Sequence, residues 1–141
     1  MRIDQYPTMM DCLMEDKSTE ISNPRFRMWL RPDGVVHLVW APAIELHLED
    51  AIASVKAMTT LTGGKRSPLL VDASTVGTQD RAARNEFVSR GDLVSGVALI
   101  VTTPLSRLMG NFFIAVSKPV VATRLFEDEA SAVAWLKGLR T

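Results

Sequence analysis

Two short runs of uninterrupted apolar residues constrain this chain more than any other feature: Leu69-Leu70-Val71 behind Pro68, and Val97 to Val101. A strand without polar alternation has no face to offer water, so it belongs inside a sheet that is covered on both sides. Such strands are usually parallel and joined by helical crossovers. The residues after each run meet that requirement. Asp80 to Arg90 reads as a polar helix with Ala83 and Phe87 turned inward, closed by Gly91. After the second run, Thr103 stands at an N-cap and Pro104 at the first helical position. From there Leu105, Leu108, Met109, Phe112, Phe113 and Val116 recur at i, i+3, i+4, i+7, i+8 and i+11, a stripe that predicts a helix buried along its length.

The flanking segments complete an α/β pattern. Phe26, Met28 and Leu30 alternate with Arg25, Arg27, Trp29 and Arg31, the period of a half-buried strand. Pro32-Asp33-Gly34 supplies a turn, and Val35 to Trp40 follows as the second arm of an antiparallel hairpin. Leu48, Ala51, Ile52, Val55 and Met58 then trace a helix ended by Gly63-Gly64. Pro119 stops the Phe112/Phe113 helix, Val120 to Phe126 forms a last strand, and Asp128 caps a terminal helix buried through Ala132, Trp135, Leu136 and Leu139. The expected fold is a mixed sheet of about five strands with four helices, an N-terminal hairpin leading into parallel βα units. Residues 24–141 form one domain, and residues 1–23, which lack a clear period, are expected to be a flexible or loosely docked arm. Met1 and Met14 both offer a start within it.

At 141 residues and 47% hydrophobic content, one core is expected. Sixteen basic residues balance sixteen acidic ones, which leaves no general attraction for nucleic acid or anionic lipid. Cys12 is the only cysteine, so neither an intrachain disulfide nor a zinc cluster can form, as suits a reducing compartment. The apolar runs are far shorter than the ~18 residues of a spanning helix, and no cleavable leader is expected at the start. A cytoplasmic location, no membrane span and no cofactor are the expectations.

The element order, with Leu70-Val71-Asp72-Ala73-Ser74-Thr75-Val76 entering a helix, resembles the STAS / anti-sigma-factor-antagonist superfamily. The ending, Arg124-Leu125-Phe126-Glu127-Asp128-Glu129-Ala130 through Ala134-Trp135-Leu136, is similar to bacterial STAS/CRAL-TRIO-like proteins of mostly unassigned role. The resemblance spans roughly residues 25–139 and implies the STAS-like fold. It also implies a phosphorylatable serine just after an aspartate at a helix start. Alignment on Asp72, Ser74, Val76 and Asp80 places Arg81 there, and a phosphate switch of ~−2 charge cannot operate on arginine.

Candidate site residues gather after the first apolar run. Asp72, Ser74, Thr75 and Thr78 lie where α/β proteins often place function, although such residues ordinarily make turns and caps. Ser74 or Thr75 is a candidate phosphosite, and Arg81 and Arg84 share a helix face that suits an anion or an acidic partner. His37 and His47 are too isolated for a metal site, which wants three or four placed ligands. Gly63-Gly64-Lys65-Arg66-Ser67 departs from a phosphate loop at three points and reads as a helix-ending loop. No nucleophile–base pair is visible.

The leading functional expectation is a non-catalytic protein–protein interaction or regulatory module without the usual phosphoserine. The alternative is a carrier of a small molecule or lipid, suggested by the CRAL-TRIO-like resemblance and the Phe112/Phe113/Met109 stripe. The protein partner is unknown, and a homodimer is also expected. Strands in chain order with right-handed crossovers put the intervening helices on one face, and the other, apolar face must be covered. A second copy is the favoured cover; the arm or a displaced helix are the others.

Overall fold

The computed structural model describes residues 19–139 apart from Thr75, Lys118 and Pro119. In chain order the elements are β1 (Glu20–Ser22), β2 (Phe26–Leu30), β3 (Val36–Trp40), β4 (Glu45–Leu46), α1 (Leu48–Thr62), β5 (Ser67–Asp72), β6 (Thr78–Gln79), α2 (Arg81–Ser89), β7 (Val94–Ile100), α3 (Pro104–Ser117), β8 (Thr123–Phe126) and α4 (Glu129–Gly138). The hairpin forms as its alternation demands, with Phe26 opposite Trp40 and Leu30 opposite Val36. Its turn uses Gly34 at φ +88°, a left-handed conformation that suits glycine. The Asp33 carboxylate accepts from the Val35 N–H at 3.1 Å.

The main sheet has six strands in the order β1-β2-β3-β5-β7-β8. From β3 onward neighbouring strands are parallel. This is the α/β, STAS-like arrangement with four helices, with one strand more than expected. The extra strand, β1, falls inside the segment assigned to the arm, while residues 1–18, Cys12 among them, lie outside the described residues. A three-residue strand shows no period of its own; its single apolar side chain, Ile21, stands opposite Met28. The last strand begins at Thr123 rather than Val120.

One face of the sheet carries α1 and α2, with Phe26, Met28, Leu38 and Trp40 packed against Ala51, Ala57, Met58 and Leu61. The Trp40 ring meets Phe26 edge-on at 5.4 Å and Phe87 at 6.4 Å. The opposite face is covered by α4, whose Ala132 and Leu136 seal Val35, Leu70, Ala98 and Ile100. Asp128 starts α4 by accepting from the Ser131 N–H at 2.7 Å. The strands do lie in chain order, but the final helix crosses to the other face of the sheet. The uncovered sheet that motivated a dimer through this face is therefore absent where α4 sits.

Three helical stripes differ from expectation. In α1 Leu48 and Ile52 are exposed, and the buried row is Asp50, Ala51, Ser54, Ala57, Met58 and Leu61. In α4 Leu139 is exposed. The largest difference is α3, where only Ser106 and Gly110 are fully buried. A Cβ on Gly110 would meet Leu125 Cδ2 at 2.9 Å and Val101 Cγ1 at 3.4 Å. The helix approaches the sheet through its smallest residues, so its large side chains are turned aside or outward.

Candidate functional site

Two crossovers converge at the carboxyl ends of β3 and β5. There β4 and β6 pair in parallel, Glu45 with Thr78 and Leu46 with Gln79. The Gly77 N–H donates to Ile44 O and the Asp80 N–H to Leu46 O, both at 2.9 Å. This small ladder sets the first turns of α1 and α2 side by side, and their N-cap residues are His47 and Asp80. Asp50, buried in the first turn of α1, accepts from the His47 N–H at 2.9 Å and is ion-paired with Arg25. The Arg25 hydrogen bond holds the Asp50 carboxyl below the usual carboxylate range. A negative charge at this helix start is also favoured by the helix dipole.

The two caps bond to each other, His47 Nδ1 donating to Asp80 Oδ2 at 3.0 Å. Asp80 also accepts from the Ala83 N–H at 2.8 Å. The hydrogen bond to Asp80 raises the His47 pKa above 6.5. The Ala83 N–H, followed by His47, lowers the Asp80 pKa below 3.8. By linkage, the His47 contribution to stability is complete below pH 6.5 and is lost as pH rises through the raised value. The Asp80 contribution is present above pH 3.8 and is lost as pH falls through the depressed value. Both hold between those limits. In Asp80→Asn, the His47 pKa followed by NMR should fall relative to the unsubstituted chain; an unchanged value would show that the two caps are not paired in solution.

The sequence-predicted residues are placed close together but mostly as turn-makers. Asp72 ends β5 and its carboxylate accepts from the Ser74 N–H at 3.1 Å. Ser74 is half-buried, Thr78 is an exposed member of β6, and Thr75 lies outside the described residues. Arg81 is exposed at the first position of α2. Arg84 donates to Gln79 O at 3.1 Å, with its guanidinium 5.3 Å from the Phe112 ring centre. The pairing of His47 with Asp80 was not legible, because 33 residues separate them and only the β4–β6 ladder joins them.

His37 differs from His47: it is buried on the α4 side of β3, its ring tilted 35° to that of Trp29 at 4.2 Å, with its pKa lowered by burial. Among the described residues no group of three or more His, Cys, Asp or Glu side chains is arranged to hold a metal ion. His47 has carboxylates on both sides, with Glu45 3.9 Å from Nε2. In the Gly63-Gly64 loop, Gly63 caps α1 at φ +67°, Ser67 Oγ donates to Lys65 O, and Arg66 donates to Val94 O. That is helix-ending chemistry.

The other distinctive region is α3. Its outer face leaves Leu105 57%, Leu108 64%, Phe112 45% and Val116 51% exposed. Beneath its inner face lies an apolar cavity of about 150 Å³ lined by Met28, Leu38, Phe87, Val97, Met109 and Phe113 among others. The expectation that the whole stripe is core is thus overturned, since Met109 and Phe113 turn toward the cavity while the other four face water. Among the described residues no helix is long and apolar enough to cross a membrane.

Comparison with known proteins follows the fold. The profile of a family described as a domain of unknown function, DUF7793, matches residues 28–140. No functionally curated protein matches the chain. A crystal structure of an uncharacterised DUF3478-family protein with a SpoIIAA-like fold, from Shewanella loihica PV-4, superposes with a TM-score of 0.57 at 18% identity. It covers 82% of this chain and 98% of that one. A protein of unknown function from Arthrobacter sp. FB24 is 28% identical over 78% of this chain and 97% of its own, with a TM-score of 0.31. The fold is the SpoIIAA-like, STAS-type fold.

Proposed function

We propose that this chain, which belongs to the DUF7793 family, is a non-catalytic interaction module that works by surface contact and without the phosphoserine switch. The observation that carries the reading is the outer face of α3. Four large apolar side chains repeat there at i, i+3, i+7 and i+11 and stay in water. A helix is expected to hide such a stripe, and contiguous exposed apolar surface marks interaction sites on soluble proteins. At the start of α2 the switch position is filled by Arg81, and the adjoining Asp80 is already engaged as a cap. A negative charge is therefore built in at this helix start rather than added by a kinase. Ser74 and Thr75 remain the candidates for modification at a shifted position.

The cavity beneath α3 supports a second reading, uptake of a small apolar molecule. A mostly apolar space of about 150 Å³ accommodates a single benzene-sized ring. A longer chain or a fused ring system would need α3 to lift, which is inexpensive for a helix that buries only Ser106 and Gly110 fully. Native mass spectrometry of the purified full chain separates the readings. A ligand-free chain associated with protein, whether a second copy or another polypeptide, is the expected result. A monomer carrying a small apolar molecule would replace the interaction reading with the carrier reading.

A further inference from the structure

We infer that the cavity beneath α3 is a binding site for a single aromatic ring bearing one hydroxyl group, a phenol, held by the side chain of Gln79. This rests on the second reading above and names the ligand class. The observation that carries it is a buried carboxamide oxygen: among the described residues no donor reaches Gln79 Oε1. Gln79 is one of the residues that line the cavity. An acceptor kept from both water and a partner is destabilising, and few buried polar atoms are left so in native proteins.

The backbone fixes where this side chain enters. In β6 Gln79 stands opposite the buried Leu46, and Arg84 Nη1 donates to its carbonyl. Side chains alternate along a strand, so with Thr78 exposed, Gln79 is turned inward. A leucine or methionine there would serve packing alone. The other polar side chains on the wall are already engaged. Ser54 Oγ donates to Ala51 O at 2.9 Å, Ser106 Oγ to Thr103 O at 3.0 Å and Thr123 Oγ1 to Val121 O at 2.9 Å. Arg90 Nε donates to Asp92 at 3.4 Å. Of the polar side chains on the wall, Gln79 alone keeps a buried oxygen unused.

The rest of the wall suits an aromatic ring. Phe87 of α2 and Met109 and Phe113 of α3 line it, and ring edges, ring faces and thioether sulfur all pack well against an aromatic. At about 150 Å³ the space takes one ring and little more. One unused polar atom in such a lining selects a ligand with one polar group. A hydroxyl fits either end of a carboxamide, donating to its oxygen or accepting from its amino group. The combination is a phenol, with its hydroxyl at Gln79 and its ring among Phe87, Met109 and Phe113.

NMR titration of the full chain with phenol and with toluene, which carries a methyl group in place of the hydroxyl, tests this beside Gln79→Met. Both ligands should shift the Met109 and Phe113 resonances. The ratio of phenol affinity to toluene affinity should be about tenfold higher in the unsubstituted chain than in Gln79→Met, the upper range for one net hydrogen bond. Methionine keeps the volume and removes the unpaired acceptor, so the thermal midpoint of the variant should not fall. Gln79→Leu serves as the second variant should the methionine chain not fold. If both ligands bind and the ratio is unmoved by either substitution, the inference is overturned and the apolar-ligand reading is spared. The same holds if toluene binds the unsubstituted chain and phenol does not. If neither ligand shifts the cavity resonances, that reading falls with the inference.

Discussion

Alanine at Trp40 is expected to lower the unfolding free energy by about 3–5 kcal/mol, while alanine at Phe112 lowers it by about 1 kcal/mol or less. Both are large aromatics in strongly apolar segments, and sequence alone makes Phe112 the more obvious core residue. The structure separates them. Trp40 is buried at the end of β3 between Phe26 and Phe87, in a cluster that joins the hairpin to α1 and α2. Removing its indole leaves a void that two strands and a helix cannot collapse to fill, so a cavity cost adds to the lost transfer energy. Phe112 is half in water, and its ring borders Arg84. Urea titration gives the comparison directly: the midpoint should fall steeply for Trp40→Ala and little for Phe112→Ala, with similar slopes. Equal losses would place the outer face of α3 in the core and remove the basis of the interaction reading.

Alanine at Leu136 should cost about 2–5 kcal/mol, the range for a fully buried leucine, although the side chain comes from the last helix. Leu136 is entirely buried against Leu70, Ala98 and Ile100. Apart from α4, few apolar contacts close that face. The Arg31–Glu129 ion pair, at 2.9 Å, also ties α4 to the hairpin, but its partly exposed members should contribute no more than about 1 kcal/mol. Glu129→Gln is therefore expected to leave the urea midpoint almost unmoved while Leu136→Ala shifts it strongly. A small effect at Leu136 would mean that α4 is only loosely seated, and a second copy would regain its place as the cover of this face.

Legibility of the site followed the range of the interactions that build it. Asp128 as the cap of α4 and Gly63 as the end of α1 were readable, because each acts within three or four residues of itself; Asp80, read as the first residue of its helix, is instead the cap of α2. The assignment of Asp72 and its neighbours to turn-making was readable for the same reason. The union of His47 with Asp80 was not, nor was the ion pair of Arg25 with Asp50, because 33 and 25 residues separate the partners. The two-residue strands β4 and β6 that align the caps are too short to show any period.

The α/β class, the hairpin, the parallel strands at Leu69–Val71 and Val97–Val101 and all four helices are written in the order of the residues. Those features follow from side-chain periodicity and from local turn and cap chemistry, which the chain carries wherever it folds. Which side of each helix faces the sheet was decided only in three dimensions. Periodicity says that α3 is apolar over most of its circumference, not which part of that arc is used. Close approach to Leu125 and Val101 selected the Ser106/Gly110 side, because only small residues let the helix backbone come so near the sheet. The large side chains on the rest of the arc were thereby left to the cavity and to the surface. The return of α4 over the opposite face is equally a tertiary choice: its apolar residues require cover, and the open face across Val35, Leu70 and Ile100 was the surface that remained to be buried.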